Sequence, residues 1–311
     1  MVTATQKRTA EAIVNIFETG EVRGNYGSVT VIAGDTGHLT FGRSQTTLGS
    51  GNLFDLLQQY SSNAGARFAG MLAPSLTRFR DKDLTLDADI HVHNVLRATS
   101  DDPVMRDTQD EFFDARYWKP AARAAERVGV ITPLGMAMVY DSTVHGSWEN
   151  IRDRTNAACG TVAAAGERKW ISQYVTERRA WLAGARADLR PTVYRMDAFR
   201  RLIELDAWSL SLPLVVRDAE ISLVSLAANP RGCYDGPVPG SRVLAVESPL
   251  QRGLDVRLLQ LGLSRHGVDI RADGIFGQGC AKCVRDFQTA QGRPATGSAD
   301  ISMIAALAAA V

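Results

Sequence analysis

Two acidic residues near the start of the chain lie in contrasting local sequence. Glu18 ends an amphipathic helical stretch, directly after an apolar pair, whereas Asp35 lies in the glycine-flanked turn GDTG. An apolar wall raises the pKa of a carboxyl group, while backbone N–H groups and water favour its ionised form. Two carboxyl groups in these different states could hydrolyse a glycosidic bond, one as general acid and the other as the base that activates water.

The pair alone does not decide between chemistry and surface charge. The chain has 34 acidic and 35 basic residues, and most carboxylates of a globular protein are solvated. The decision therefore depends on the elements that hold the two side chains and on the sequence around each of them.

The sequence around Glu18 and Asp35 predicts one helix and one β-hairpin. Apolar residues at positions 10, 13, 14 and 17 recur at helical spacing, and Gly20 marks the helix end. The runs YGSVTVI and HLTFG are rich in β-branched and aromatic residues, and the segment AGDTG joins them. This pattern predicts a hairpin with Asp35 in its turn. A mainly α-helical domain over residues 1–216 is predicted from further helical windows at 105–128, 133–145, 150–186 and 196–207.

Histidines and cysteines do not form a predicted metal site. His91 and His93 in DIHVHNV alternate as in a strand or a solvated loop, and Cys280 and Cys283 form a C-x-x-C pair inside a helical pattern. Neither pair has the further ligands that a zinc site needs, and the sequence contains no H-E-x-x-H motif. We therefore expect no metal and no cofactor, which disfavours a zinc amidase or peptidase.

Composition excludes other classes of protein. A net charge of +1 gives no footprint for nucleic acid, and no apolar run approaches the ~18 residues of a membrane-spanning helix. The first residues, MVTATQKRTAEAIV, do not form a secretory signal. Residues 217–247 are rich in Pro and Gly, and we predict a linker or an irregular domain edge there.

The last part of the chain, residues 248–311, predicts a small module of three helices. Val256, Leu259 and Leu263 share one helix face, DGIFG predicts a tight turn, and VRDFQ and ISMIAAL fall in the second and third helices. These segments resemble the peptidoglycan-binding module of bacterial cell-wall hydrolases. The resemblance implies that residues 248–311 bind peptidoglycan and act as a tether that raises the local concentration of substrate.

Three earlier segments carry a second resemblance. AIVNIFETG, GDTGHLTFG and PLGMAMVYDSTVHGSW are similar to the family 46 chitosanases, which are inverting glycoside hydrolases of the lysozyme superfamily. The resemblance covers about residues 8–216 and implies a lysozyme-like α+β catalytic domain with a small β-hairpin region. It also implies that Glu18 is the general acid, that Asp35 is the general base and that Thr40 positions the attacking water.

The same resemblance implies a supporting network around the acid. Asp141 and His145 in YDSTVHG lie one turn apart on a helix. The arginines that pair with the aspartate match Arg178 and Arg195, with Arg179 as the alternative. Such buried ion pairs could equally hold helices together, and the histidine could be an ordinary core residue.

Substrate identity stays open between three hypotheses. The stretch HLTFGRSQTTLGSG departs from the family pattern where the sugar subsites are lined, so His38 and Arg43 are candidate substrate-binding residues, together with Trp148. Chitosan is polycationic and favours an acidic cleft, whereas this chain is nearly neutral and carries a wall-binding module. We therefore expect a muramidase-type enzyme that cleaves peptidoglycan, with chitosan as the alternative substrate. A non-catalytic wall-binding protein is disfavoured because all three candidate catalytic residues are present.

These functions imply where the protein acts. The substrate is a polysaccharide of the cell surface, so we expect a monomer that works outside the cytoplasm of the producing cell, in the extracellular or periplasmic wall. A phage lysin, an injected effector and a secreted enzyme are all compatible with this sequence.

Overall fold

The computed structural model describes residues 2–43, 45–185, 187 and 189–309. Their regular structure is mainly α-helical, with two small antiparallel sheets. This confirms the predicted fold class. The described α-helices are α1 Ala4–Thr19, α2 Asn52–Ser62, α3 Ala69–Leu72, α4 Leu76–Arg80, α5 Ile90–Thr99, α6 Pro103–Phe113, α7 Lys119–Val128, α8 Pro133–Val144, α9 Trp148–Cys159, α10 Val162–Ala165, α11 Glu167–Ala183, α12 Tyr194–Glu204, α13 Leu223–Ala227, α14 Leu254–Arg265, α15 Gln278–Ala290 and α16 Ile301–Ala309.

The strands are short, and single helical turns occur between the longer helices. A π-helical turn covers Asp114–Trp118, and 3₁₀ turns cover Ala73–Ser75, Leu84–Ala88 and Arg190–Val193. The strands are β1 Val29–Thr30, β2 Thr40–Phe41, β3 Thr46–Thr47, β4 Leu214–Val216 and β5 Ala219–Ile221.

The chain divides into two compact units, each made of two separate segments. Unit 1 contains residues 1–24 and 113–228, and unit 2 contains residues 25–112 and 229–311. The domain boundaries predicted at residues 216 and 248 stay a prediction, because the units group residues by contact rather than by position along the chain.

Unit 1 is a helical bundle around α8. Both α1 and α7 pack on α8, and α11 packs between α9 and α12. The first helix begins at a capping box, in which Thr3 accepts from the backbone N–H of Gln6, and it ends at Gly20 with φ 75°. Its apolar side, including Ile13 and Phe17, is buried. The predicted helix and its predicted end are both confirmed.

Unit 2 contains the predicted hairpin. Strands β1 and β2 pair antiparallel with Val29 opposite Phe41, and β3 adds a third strand on the other side of β2. The third strand falls in the stretch TTLGSG, for which no strand was predicted from the sequence. Phe41 and Leu39 are buried in one apolar cluster with α2 and α5.

The segment with His91 and His93 corrects one prediction. These residues lie in helix α5 and not in a strand or loop. The side chain of Asp89 accepts a hydrogen bond from the Val92 N–H (3.0 Å) and so caps the helix. His91 and His93 are separated by one residue, which imitates the alternating pattern of a strand. This alternation concealed the start signal of the helix. Burial lowers the pKa of both imidazoles.

The C-terminal region forms the predicted three helices. Helices α14, α15 and α16 enclose a cluster that includes Val256, Phe276 and Ile304. The stretch 217–247, predicted as a linker or irregular edge, contains β5 and α13 in its first part. Its later part is irregular yet anchored, since Arg242 pairs with the buried Asp255 at 2.7 Å.

Two further observations concern membranes and metals. No helix in the described part of the chain is long and apolar enough to cross a membrane. Within the same described residues, no group of three or more His, Cys, Asp or Glu side chains is arranged to hold a metal ion. Cys280 and Cys283 lie in α15 as free thiols.

Candidate active site

Glu18 lies in the last turn of α1, bound to an arginine. Arg195 of α12 donates through Nη2 to Glu18 Oε1 at 2.6 Å. The Glu18 side chain is 38% exposed, so the apolar wall expected from the sequence does not enclose its carboxylate. The apolar residue before it, Phe17, instead lies under the Arg195 guanidinium, 5.4 Å from the ring centre. Glu18 is therefore bound to a cationic side chain that is itself buried.

Asp141 is the buried anion at the centre of the network. Its side chain is fully buried in α8, where Arg178 donates to Oδ2 at 2.5 Å and Arg195 donates to Oδ1 at 2.7 Å. Burial alone would raise the pKa of Asp141, but the two guanidinium groups outweigh it and lower that pKa. Asp141 is thus ionised and balances one of two buried positive charges.

His145 completes the network beside Arg178. The Arg178 Nη2 group lies 3.3 Å from His145 Nδ1, and its Nη1 also donates to Ser142 Oγ at 2.8 Å. Burial lowers the pKa of His145, and the nearby Arg195 and Arg178 lower it further. A neutral imidazole that accepts at Nδ1 carries its proton on Nε2.

The structure distinguishes between the two arginines that sequence reasoning left open. Arg178 is fully buried beside Asp141, whereas Arg179 points to the surface and pairs with Asp197 at 2.6 Å. A signal for this was present in the sequence, since Ile171, Tyr174 and Arg178 fall on one buried stripe of α11. The structure therefore brings together Glu18, Asp141, Arg178 and Arg195 from four helices, and His145, which directly follows α8.

Tyr194 is a contributor that sequence reasoning missed. Its hydroxyl donates to the Phe17 carbonyl oxygen at 2.7 Å and ties the end of α1 to the start of α12. Because Phe17 precedes Glu18 and Tyr194 precedes Arg195, this bond joins the immediate neighbours of the two residues. No local pattern announces a contact between residues so far apart in sequence.

Asp35 lies in an exposed turn between β1 and β2. Its backbone N–H donates to the Ile32 carbonyl oxygen at 3.1 Å, and its Oδ1 accepts from the Gly37 N–H at 3.2 Å. This is the polar, solvated environment expected of a carboxylate base. The turn therefore binds Asp35 through Oδ1, and the second carboxylate oxygen is Oδ2.

His38 and Thr40 continue the same segment. The His38 backbone is left-handed (φ 57°), and Asp87 holds this conformation by contacting His38 Nδ1 at 2.9 Å and accepting from the Leu39 N–H at 2.8 Å. The Thr40 hydroxyl donates to the His38 carbonyl oxygen at 3.0 Å. Sequence reasoning missed Asp87, which fastens the segment between Asp35 and Thr40 from a separate 3₁₀ turn.

The glycine-rich stretch after β3 supports the turn of Asp35. The Gly49 N–H donates to the Gly37 carbonyl oxygen at 3.0 Å. A Cβ atom at Gly49 would lie only 2.2 Å from the Thr36 carbonyl oxygen, so no larger residue fits without moving the turn. Part of the stretch that departs from the family pattern therefore positions Asp35.

Two of the candidate substrate-binding residues have structural partners. The Arg43 side chain is 4% exposed and pairs with Asp110, and its guanidinium lies 5.6 Å from the ring centre of Tyr26. Trp148 is buried against Trp170 and Tyr174, with ring centres 6.2 and 5.4 Å away. Both side chains are engaged in packing. His38, by contrast, keeps a third of its side chain exposed.

The chain is a glycoside hydrolase, as its match to a family model shows. Residues 12–214 match the model of glycosyl hydrolase family 46, and the chain belongs to this family. Residues 252–307 match the putative peptidoglycan binding domain. Both resemblances noted in the sequence are confirmed.

Several proteins that are similar to this chain are chitosanases. A chitosanase of Bacillus subtilis (strain 168) is 26% identical over 230 residues, which cover 69% of this chain and 83% of the relative. The native chitosanase from Bacillus subtilis MY002 superposes with a TM-score of 0.57 at 25% identity, over 70% of this chain and 96% of that one. The family 46 chitosanase of Gynuella sunshinyii, solved with chitotetraose, gives a TM-score of 0.57 at 24% identity, over 72% and 99% of the two chains.

Proposed function

We propose that this protein is a chitosanase, an endo-acting enzyme that hydrolyses β-1,4-linked glucosamine polymers with inversion. The observation that carries the proposal is the family 46 match over residues 12–214, a range that contains Glu18 and Asp35. Proteins that are similar to this chain in sequence and in structure are chitosanases. A mutant of the Bacillus subtilis MY002 chitosanase was solved as a complex with 6 GlcN units.

Glu18 is the proposed general acid. Because Glu18 Oε1 accepts from Arg195 at 2.6 Å, the proton to be transferred resides on Oε2. The acid protonates the leaving glycosidic oxygen and becomes a carboxylate. Arg195 is already in place to stabilise that new negative charge, and Asp141 keeps the guanidinium oriented.

Asp35 is the proposed general base, with Thr40 as its helper. Asp35 Oδ1 is engaged by the Gly37 N–H, so Oδ2 takes the proton from the attacking water. The Thr40 hydroxyl donates to the His38 carbonyl oxygen, which leaves lone pairs of Thr40 Oγ1 to accept the second hydrogen of that water. Two acceptors of this kind orient the oxygen lone pair of the water away from both of them.

The predicted preference for peptidoglycan as the substrate gives way to its alternative. That preference rested on the net charge of the chain and on the wall-binding module, whereas the relatives of the catalytic part are chitosanases. Peptidoglycan remains a second candidate substrate because residues 252–307 match a peptidoglycan-binding domain. In our proposal this domain binds the wall, and the enzyme acts outside the producing cytoplasm.

The test uses two substrates and one matched pair of variants. The protein is incubated with chitosan and, separately, with purified sacculi, and new reducing ends are identified by mass spectrometry. We expect glucosamine ends from chitosan and their loss in Glu18→Gln, with chitosan binding retained. Glu204→Gln, a change at an exposed carboxylate of α12, is the control and should retain activity. Muramic acid ends from sacculi, with none from chitosan, would overturn the proposal.

A further inference from the structure

The first helix of the peptidoglycan-binding domain is buried on two sides. Val256, Leu259 and Leu263 of α14 point into the core of their own domain. Leu261, from the same helix, is fully buried in a different apolar cluster, which belongs to the remainder of unit 2. Helix α14 also packs directly on α5. A helix shared between two cores is not the arrangement of a freely mobile tether.

A buried asparagine fastens this contact with directional bonds. The side chain of Asn94 in α5 is fully buried. Its Nδ2 group donates to Ser264 Oγ at 3.0 Å and to the Ile270 carbonyl oxygen at 2.7 Å, and its Oδ1 accepts from the Ala272 N–H at 2.9 Å. All three partners belong to the C-terminal domain. Separating the domain from α5 would leave each of these polar groups exposed to water or without a hydrogen-bond partner.

A buried ion pair lies beside the asparagine. Asp101, just after α5, is fully buried and lies 2.7 Å from Nε of Arg257 in α14, which is also buried. Arg257 Nη1 donates to the Ala272 carbonyl oxygen at 2.8 Å, and Asp101 Oδ1 accepts from the Tyr234 N–H at 2.8 Å. Separating the pair without water reaching both charges is unfavourable, so the two sides separate only by opening the whole contact.

The cluster that receives Leu261 continues to the hairpin of Asp35. It contains Leu261 together with Val95 of α5, and also Val29, Leu39 and Phe41 from the strands that flank the turn of Asp35. One apolar core therefore runs from the hairpin through α5 to the first helix of the C-terminal domain. Loss of the domain would open that core at one end.

We propose that the peptidoglycan-binding domain has a second function as a structural part of the lobe that carries Asp35. The domain and residues 25–112 form one cooperative folding unit, in which α14 completes the core of the hairpin lobe. This function is independent of any wall ligand. It also does not rest on the identity of the substrate, because it concerns folding and not turnover.

Native-state hydrogen exchange on the full chain tests the proposal. Ile304→Ala removes a fully buried side chain of α16 from the core of the C-terminal domain. We expect the slowest-exchanging amides of α14 and of α5 to lose protection by the same factor, about 30-fold or more, as for other buried Ile→Ala changes. Ile301→Ala, in the same helix but half exposed, is the matched control and should leave both helices at wild-type protection.

An independent C-terminal domain would give a different exchange pattern. A tethered, independent domain would lose protection in α14 while α5 kept its wild-type exchange rates, and that outcome would overturn the proposal. Should Ile304→Ala yield no folded protein, the smaller change Ile304→Val is compared in the same two helices with the same criterion. Exchange is measured without chitosan or sacculi, so the result stands whether or not the protein proves to be a chitosanase.

Discussion

Arg195 Nη2 donates to Glu18 Oε1 at 2.6 Å, and Nη1 of the same guanidinium donates to the buried Asp141. One side chain thus links a partly exposed carboxylate to the core of unit 1. A planar guanidinium can hold two carboxylates in fixed directions, which a lysine ammonium on a flexible stem does not do. The orientation of Glu18 therefore depends on a residue that sequence reasoning could assign only by resemblance.

Arg195→Lys should impair turnover more than binding. A lysine keeps the positive charge but loses the planar fork that spans Glu18 and Asp141, so the charge that develops on Glu18 is less well stabilised. We expect kcat on chitosan to fall by about 100-fold, with a smaller change in KM. Arg179→Lys alters an exposed pair with Asp197 and serves as the control. An unchanged kcat in Arg195→Lys would contradict the proposed role.

Asp141→Asn should destabilise the fold in a pH-dependent way. The change leaves two buried guanidinium groups without their shared anion, and we expect the free energy of unfolding at pH 7 to fall by about 3–5 kcal/mol. The pKa of Asp141 is lowered in the folded protein, so its ionised form stabilises the fold above its ordinary pKa of about 3.9. This contribution disappears as the pH falls through the folded pKa. Urea titrations should therefore show a difference between wild type and Asp141→Asn that shrinks below about pH 4.

His145→Gln should reduce the loss of stability at mildly acidic pH. The pKa of His145 is lowered in the folded protein, so the unfolded chain takes up a proton first as the pH falls below about 6.5. Folding stability therefore decreases in that range because of this residue. We expect the free energy of unfolding to decline less steeply from pH 7 to pH 5 in His145→Gln than in wild type. Equal slopes in the two proteins would show that the imidazole is not held neutral.

Gly49→Ala should displace the turn of Asp35. The new Cβ would lie 2.2 Å from the Thr36 carbonyl oxygen, which is backbone and cannot rotate away. A displacement of the base by about 1 Å can cost on the order of 100-fold in rate, and we expect kcat to fall at least tenfold. Gly70→Ala is the matched control, since a Cβ there meets nothing within 4 Å. A Gly49→Ala enzyme with wild-type kcat would show that the turn adjusts without cost.

Elements with strong local signals could be predicted from the sequence. Helix α1 has both a periodic apolar face and a terminal glycine, and the hairpin has alternating β-branched runs around a glycine-flanked turn. Helix α5 could not be recognised in the same way, because His91 and His93 imitate a strand and the cap at Asp89 precedes them. The helical spacing of Val92, Val95 and Leu96 and the cap at Asp89 are the two signals that this alternation concealed.

The candidate active site also contains some residues that could be predicted from the sequence and others that could not. Glu18, Asp35 and Asp141 stand in segments that carry the family resemblance, and the structure places Asp141 at the centre of a network. Asp87 and Tyr194, by contrast, act through hydrogen bonds to residues 48 to 177 positions away. Such bonds leave no periodic trace, since a single polar side chain at a loop or helix start is common everywhere. The shared core of α14 and the hairpin likewise joins residues far apart in sequence, such as Leu39 and Leu261.

The tryptophan cluster described around Trp148 has a practical consequence for experiments. All five tryptophans of the chain, at positions 118, 148, 170, 181 and 208, fall in the segment 113–228 of unit 1. Residues 25–112 and 229–311 contain none. Intrinsic indole emission is therefore a label-free optical reporter for one unit alone. Circular dichroism sees the helices of both units, so any difference between the two melting curves would separate their transitions without an added dye.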